Sequence, residues 1–131
     1  MKIKMKIVHN DTEEVAKIVL VDNKNRVLML KRGRTAKHPR EWDLPGGHIR
    51  ENESINAGLT REIKEETGLL VKKHLFFKKI ENISFFFAMY DSQPIKLSYE
   101  HTNYDFFDKK KLDFDDKFQK VSLEILEKVE K

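Results

Sequence analysis

Hydrophobic and polar positions alternate every second residue over residues 2–7, a period typical of β-strands, and two β-rich apolar runs follow. Ile3, Met5 and Ile7 alternate with lysines, which predicts a strand with one solvated face near the edge of a sheet. The runs VAKIVLVD at 15–22 and RVLMLKR at 26–32 are separated by NKN, a composition typical of turns, and they predict a β-hairpin. This part of the chain therefore predicts three strands.

A polar segment and then a helix follow the hairpin. Residues 33–41, GRTAKHPRE, are polar and basic and contain a proline, so we expect an exposed loop. The next regular element is a helix of roughly residues 54–66, with Asn52 or Ser54 as the candidate N-cap. Gly68 can adopt the left-handed conformation that ends such a helix.

Apolar runs further along the chain predict four more strands and a second helix. We expect long strands at 69–80 and 83–90, LLVKKHLFFKKI and ISFFFAMY, and shorter strands in IKLS at 95–98 and YDFF at 104–107. A C-terminal amphipathic helix over 115–130 is indicated by apolar residues spaced three or four apart: Phe114, Phe118, Val121, Ile125 and Val129. The order strands, helix, strands, helix predicts an α/β (α+β) fold in which a mixed β-sheet is packed between helices as an α/β/α sandwich.

Composition bounds the size and the class of the protein. Its 131 residues, 39% of them apolar, suffice for one hydrophobic core and predict a single domain, residues 1–131. The 26 basic and 22 acidic residues give a net charge of +4, which mildly favours polyanionic partners such as nucleotides or RNA. The chain has no cysteine, so any metal must bind oxygen or nitrogen atoms. The start, MKIKMKIVHN, has no long apolar run, so we expect neither a signal peptide nor a membrane span, and a cytoplasmic protein.

The helix at 54–66 carries acidic side chains on an unexpected face. On a helical wheel, Glu62, Glu65 and Glu66 flank or overlap the stripe of aliphatic side chains instead of lying opposite it. Neighbouring carboxylates repel one another and are costly to bury unless cations neutralise them. Arg61 can reach Glu65 at i, i+4 and supplies part of that charge. The spacing leaves two interpretations open: a salt-bridged helix, or carboxylates that hold a hard cation, Mg²⁺ or Mn²⁺.

Two segments before this helix could contact a ligand, one through its main chain and one through basic side chains. Gly46 and Gly47 permit a tight turn in which the backbone approaches a ligand closely, although an ordinary turn would have the same composition. Lys37 lies in a basic loop with His38 and Arg40, which could contact phosphates or RNA or could simply be solvated.

The residues from Gly47 to Leu69 match one sequence motif at every specified position. Gly47 is followed by five residues and Glu53, and then by seven residues and REIKEETGL at 61–69. This fits the Nudix box, which reads G, five residues, E, seven residues, REUxEExGU, where U is a bulky aliphatic residue. WDLPGG before the box extends the likeness, and the strand pattern, EHTNYDFF and the terminal helix extend it more loosely over most of the chain. The sequence resembles the Nudix hydrolase family, in particular its small MutT-like members.

The resemblance implies an α/β/α sandwich that cleaves a diphosphate linkage in a nucleoside diphosphate joined to a group X. It implies Mg²⁺ as the cofactor, with Mn²⁺ as a possible substitute. Arg61 would orient a glutamate through a salt bridge, and Glu53 would brace the loop or assist the metal site. Metal binding falls to four residues: Glu62, Glu65, Glu66 and, through its carbonyl, Gly46.

The resemblance leaves alternatives for the general base and for the residues that bind the substrate phosphates. Relatives draw the base either from the box, here Glu65 or Glu66, or from a glutamate in a later loop, here Glu100. Arg32 resembles the arginine with which several relatives hold a phosphate, and its alternative is a solvated cation at a strand end. Backbone atoms of Gly47 would also lie near the substrate.

Several substrates remain compatible with these residues. A nucleoside triphosphate or a related small nucleotide is the first expectation, and the 5′ end of RNA or a dinucleoside polyphosphate is the alternative. A non-catalytic module that binds a nucleotide or RNA belongs to a different class, but such modules usually lose box glutamates, and this chain keeps all four. The sequence leaves the oligomeric state open between monomer and homodimer.

Overall fold

The computed structural model describes residues 11–34 and 41–129. The strand predicted around Ile3–Ile7 and the candidate phosphate ligand Lys37 lie outside these ranges. The described residues form these strands and helices, in chain order: β1 (Asp11–Val21), β2 (Val27–Arg32), β3 (Trp42–Asp43), β4 (Gly46–Arg50), α1 (Ile55–Thr67), β5 (Leu75–Ile80), β6 (Ile83–Met89), β7 (His101–Phe107) and α2 (Lys117–Val129).

The longest strand, β1, organises one mixed sheet. It runs parallel to β6, which in turn pairs antiparallel with β5. Along its other edge, the first half of β1 pairs antiparallel with β4, and its end meets β2 at the pair Val21 and Val27. The outer edge of β2 then pairs antiparallel with β7. Because β4 and β2 share one edge of β1, the turn leading into β4 lies beside the middle of the sheet, at Lys17.

Both faces of this sheet are covered, which explains the nearly continuous apolar run in β1. Val19 and Val21 face the α2 side, where they join a buried cluster with Val121, Ile125 and Leu126. The intervening residues of β1 face the α1 side, and they pack with aliphatic residues of that helix: Ile18, Leu20, Leu59 and Ile63. The α/β/α sandwich with a mixed sheet is therefore confirmed.

Both helices begin and end close to the predicted residues. Ser54 is the N-cap of α1, and its side chain accepts a hydrogen bond from the Ala57 amide at 3.0 Å. Gly68 ends the helix with φ 76°, and its amide donates to the Lys64 carbonyl. Neither helix in the described ranges has the length and apolar character needed to cross a membrane.

Two strand predictions need correction. The segment 69–80 forms a strand only from Leu75, because the Leu70 amide and carbonyl bond to the side chain of Gln93 instead of to a neighbouring strand. IKLS at 95–98 forms no strand in the structure. The amides of Lys96 and Ser98 donate to carbonyls at the end of α1, those of Thr67 at 2.8 Å and Glu66 at 3.0 Å. This segment therefore supplies hydrogen-bond donors to carbonyls at the end of α1 that have no partner within the helix.

A comparison of two phenylalanines tests how much the buried core and the exposed edge strand β5 each contribute to stability. Phe85 is fully buried and packs edge-to-face on Phe118 of α2, whereas Phe76 on β5 remains 57% exposed. We expect Phe85→Ala to lower the free energy of unfolding by about 3–5 kcal/mol, because the cavity left in the core does not collapse fully. Phe76→Ala should cost less than about 1 kcal/mol. Denaturant unfolding of the two variants measures both changes, and equal losses would contradict this assignment of the core.

Candidate active site

A cavity of about 610 Å³ opens beside the middle of β1. Its walls come from β1, the end of β2, the turn into β4, one face of α1 and the turn before β7. Six residues singled out in the sequence line it: Arg32, Gly46, Gly47, Glu62, Glu66 and Glu100. The fold thus brings together residues that are up to 68 positions apart in the chain, from Arg32 to Glu100.

Gly46 is held in a conformation that only glycine adopts easily. Its φ is +130°, and a Cβ atom there would lie 2.1 Å from the carbonyl oxygen of Ala16. The Gly46 amide donates to Oε1 of Glu66 at 2.9 Å. The turn therefore packs directly on β1 and presents its backbone to the α1 carboxylate.

Gly47 makes room for the second carboxylate. A Cβ atom on Gly47 would lie 2.7 Å from both the carboxyl carbon and Oε1 of Glu62. The two adjacent glycines thus allow the backbone to approach the side chains of Glu62 and Glu66, one turn apart on α1.

Burial dominates the electrostatics of these two glutamates. Glu66 is only 8% exposed, and this burial raises its pKa to about 8, against the lowering effects of the Lys17 charge and the Gly46 amide. The pKa of Glu62 is also raised by burial, with a hydrogen bond and charge from Arg61 acting in the opposite direction. The site therefore disfavours two bare negative charges, and a bound cation would favour both ionised carboxylates.

Arg61 connects the remaining box glutamates. Its Nη2 lies 2.7 Å from Oε1 of Glu53, and its Nη1 lies 3.1 Å from Glu62 and 3.3 Å from Glu65. The hydrogen bond from Arg61 lowers the pKa of Glu53, whose Oε1 also accepts the Arg50 amide at 2.8 Å. Glu53 and Arg61 therefore brace the connection between β4 and α1.

Glu65 stands apart from the other two predicted metal ligands. Its side chain is 51% exposed, interacts with Arg61 and Arg50, and does not line the cavity. A position three residues after Glu62 and one before Glu66 points it toward the rim of the helix face. The structure thus brings Glu62 and Glu66 together in the cavity and leaves Glu65 outside it.

Two charged residues of the cavity were missed in the sequence. Lys17 is 7% exposed, and its Nζ lies 3.1 Å from Asp43 and 3.2 Å from the carbonyl oxygens of Leu44 and Gly46. Asp43, 4% exposed, also binds Arg32 through Nη1 at 2.6 Å. The available signal was the lysine within the apolar run VAKIVLV, on the strand face that otherwise holds valines.

Glu100 lines the cavity from the turn before β7, and His101 lines it from the first position of β7. Glu100 is exposed, and its backbone carbonyl accepts the Gly33 amide at 2.8 Å, which anchors this turn beside the end of β2. His101 is buried, and burial lowers its pKa. Glu100 therefore contributes a carboxylate from a different element than α1.

The donor atoms of the cavity fit a hard cation that keeps several of its waters. The described ranges contain no group of three or more His, Asp or Glu side chains arranged to hold a metal. Mg²⁺ usually binds through one or two carboxylates, with water and substrate phosphates as further ligands. Glu62, Glu66 and the carbonyl of Gly46 supply such a set, and the glycine turn leaves space where a Cβ atom would collide.

A second cavity of similar volume lies at the far end of β6 and has different chemistry. Leu75, Phe87 and Met89 line it, and it contains no carboxylate. Its polar lining consists of Asn56, Lys72, Lys73 and His74, so metal binding through carboxylates is favoured at the first cavity.

Comparisons with known proteins agree with this geometry. The family model described as NUDIX domain matches residues 12–127. The 8-oxo-dGTP diphosphatase of Buchnera aphidicola subsp. Schizaphis graminum is 35% identical over 65 residues, 49% of this chain and 49% of that protein. The chain spans about half the length of the curated relatives it matches.

Solved structures of similar fold cover most of the chain. The MutT protein from Methanosarcina mazei Go1 has a TM-score of 0.71 and 23% identity, over 95% of this chain and 99% of that one. A C. elegans Ap4A hydrolase in a binary complex has a TM-score of 0.65 and 20% identity, over 89% of this chain and 96% of that one. At these identities the likeness concerns the fold.

The raised pKa of Glu66 predicts how pH acts on the metal-free protein. The pKa of Glu66 is about 8 in the folded protein, against an ordinary value of 4.5. The protonated carboxyl therefore adds to the stability of the fold in full at pH values below 4.5. This added stability is lost as the pH rises to about 8 and above. The melting temperature in EDTA should therefore fall by several degrees between about pH 5 and pH 8.5, and Glu66→Gln should remove most of this fall.

Circular dichroism melts of the parent and of Glu66→Gln at several pH values provide the measurement. Exposed Glu127 on α2 gives the matched control, because Glu127→Gln should keep the parent's pH dependence. Identical pH profiles for the parent and Glu66→Gln would contradict a buried, destabilising carboxylate.

Proposed function

We propose that this chain, which belongs to the NUDIX domain family, hydrolyses a diphosphate linkage in a nucleoside triphosphate or a related small nucleotide. The observation that carries this proposal is the meeting of half-buried Glu62 and buried Glu66 with the Gly46 backbone in one cavity that also contains basic side chains. The curated relatives named 8-oxo-dGTP diphosphatase support a nucleoside triphosphate as the substrate class.

Mg²⁺, with Mn²⁺ as a substitute, is the proposed cofactor. Glu62, Glu66 and the carbonyl of Gly46 would hold it, and Glu65 is the third box carboxylate in the proposed set. When bound, such a cation neutralises phosphate oxygens and lowers the pKa of a water molecule. Arg61 and Glu53 act as positioning residues, because their ion pair fixes the start of α1 relative to β4 and holds one oxygen of Glu62.

The substrate phosphates are proposed to bind beside the glycine turn. Arg32 lines the cavity and is oriented by its ion pair with Asp43. Gly47 exposes its backbone on the same wall without a Cβ atom between the chain and the ligand. Lys37, outside the described ranges, stays a predicted phosphate contact from the loop that follows Arg32. Guanidinium and backbone donors are the groups that phosphate oxygens accept from most readily.

Glu100 is proposed as the general base. Its carboxylate lines the same cavity but comes from the turn before β7, so it is free of the hydrogen bonds that tie Glu66 to Gly46 and Glu65 to Arg61. A base needs an acceptor oxygen that is not shared with a cation or an arginine. The box glutamates Glu65 and Glu66 are the alternative source of the base.

The nucleobase is proposed to bind in a smaller cavity next to the first. This space of about 170 Å³ shares Arg32 and Asp43 with the larger one and is lined by Trp42 and Phe118. Aromatic faces suit a nucleobase, since every base offers a flat π surface. Trp42 also packs edge-to-face on Phe107 at 5.0 Å, so its ring is held in place by the core.

A phosphate-release screen with and without Mg²⁺ tests the proposed reaction. The substrates are nucleoside triphosphates including 8-oxo-dGTP, nucleotide sugars, dinucleoside polyphosphates and 5′-triphosphorylated RNA. We expect Mg²⁺-dependent turnover of at least one nucleoside triphosphate, and we expect Glu66→Gln to lower kcat by about a thousandfold or more, since most of the transition-state charge is stabilised through the cation site.

Exposed Glu127 again supplies the control, and Glu127→Gln should turn over like the parent. Full activity of folded Glu66→Gln would contradict the proposed site. Turnover confined to RNA or dinucleoside polyphosphates would replace the proposed substrate class.

A separate substitution tests the base. Glu100→Gln should lower kcat by about a hundredfold with little change in KM, because it removes proton acceptance and not substrate contacts. Steady-state kinetics over a range of pH measure the effect, with exposed Glu51→Gln as the control. A kcat equal to that of the parent would return the role of base to Glu65 or Glu66.

A further inference from the structure

Lys17 places a positive charge where a metal ligand of the site is expected. Its Nζ lies 3.2 Å from the carbonyl oxygen of Gly46, and it contacts the Asp43 carboxylate at 3.1 Å. The charge of Lys17 also acts on Glu66, whose pKa it lowers against the larger effect of burial. The buried ammonium group of Lys17 therefore interacts with the Gly46 carbonyl and the Glu66 carboxylate, which would also attract a divalent cation.

Besides the Lys17 side chain, which bonds the Leu44 and Gly46 carbonyls, main-chain hydrogen bonds hold this turn on β1. The Ile18 amide donates to the Pro45 carbonyl at 2.9 Å, and the backbones of Lys17 and Gly46 are register partners in the β1–β4 ladder. On its other side, the Gly46 amide is fixed by Glu66. Removing the ammonium group would therefore change the local charge much more than the backbone geometry.

An ammonium group and a divalent cation that share an oxygen atom repel each other. The repulsion is strong here because Lys17 and Glu66 are both more than nine-tenths buried, where water screens charges weakly. The phosphates of a nucleotide change this balance, since they add several negative charges that attract the ammonium group and the divalent cation together.

We propose that Lys17 is a built-in cation of the active site, which weakens divalent cation binding to the protein alone and makes it depend on the nucleotide. The inference rests on the proposed function, in that Gly46 and Glu66 belong to the cation site. It adds that Lys17 couples the two ligands: the nucleotide tightens cation binding, and the cation tightens nucleotide binding by the same factor.

Replacement of Lys17 by methionine provides the test, because methionine keeps most of the side-chain volume and removes the charge. Mn²⁺ binding is measured by electron paramagnetic resonance of free Mn²⁺, with and without the non-hydrolysable analogue α,β-methylene dGTP. Without the analogue, we expect K17M to bind Mn²⁺ at least about tenfold more tightly than the parent. With the analogue, the gain in Mn²⁺ affinity should be smaller in K17M than in the parent.

Two further substitutions separate charge from packing. K17R keeps the positive charge and should stay within about threefold of the parent's Mn²⁺ affinity, and K17Q should behave like K17M if methionine impairs folding. Lys79 on β5, half exposed and paired with Glu14 at 3.1 Å, is the matched control, and K79M should leave Mn²⁺ binding unchanged.

The outcomes distinguish the inference from the proposed function. A parent that binds Mn²⁺ and hydrolyses a nucleotide, while folded K17M and K17Q bind Mn²⁺ no more tightly, overturns the role of Lys17 alone. Weaker Mn²⁺ binding in K17M assigns Lys17 a purely structural part and overturns it as well. A parent that neither binds Mn²⁺ nor hydrolyses any nucleotide overturns the proposed function and the inference together.

Discussion

The carboxylate of Glu66 lies buried against the amide of Gly46, and the arrangement of the site follows from this contact. A carboxylate buried at the end of a helix needs a hydrogen-bond donor, which the turn supplies through a backbone that only glycine accommodates. The same turn is a strand partner of β1, so the helix, the turn and the central strand are fixed relative to one another. Burial of this carboxylate would be unfavourable in an ordinary surface helix, and here the Gly46 amide and the charge of Lys17 offset part of its cost.

The four box glutamates have distinct environments although they lie within fourteen residues of the chain, from Glu53 to Glu66. Glu53 forms a close pair with Arg61 that lowers its pKa, and Glu66 is desolvated and has a raised pKa. Glu62 lies between these extremes, since it is buried but hydrogen-bonded to Arg61. Glu65 remains half exposed. One motif thus supplies a structural brace and two carboxylates that line the cavity, through differences in burial and in arginine contacts.

Family membership and cavity chemistry answer different questions about this protein. The family match over residues 12–127 shows that the chain belongs to the NUDIX domain family. The solved structures share its fold at identities of 23% and 20%, at which side chains around a pocket vary freely. Outside the box, Arg32, Trp42 and Phe118 line the smaller cavity and come from three separate elements, β2, β3 and α2.

Local sequence determined the two helices, because capping residues and the spacing of apolar residues act within a few positions of each other. Ser54 and Gly68 mark the ends of α1, and the spacing of apolar residues gave both helices to within two residues. The box itself identified Glu62 and Glu66, because helical periodicity alone places them on the apolar side. The prediction of a strand at 95–98 was wrong because amides of this segment donate hydrogen bonds to carbonyls about thirty residues earlier in the chain. No local sequence pattern encodes such a pairing.

Only the tertiary structure decided which charges meet. Lys17 and Asp43 are 26 positions apart, and the hairpin and the β1–β4 pairing bring them together under Gly46. Glu65 lies outside the cavity because Arg61 and Arg50 hold it at the rim, a choice among cations that the helical wheel leaves open. Periodicity in a sequence fixes which face of an element a side chain occupies, whereas the partner across that face is set by strand pairing and packing between distant segments.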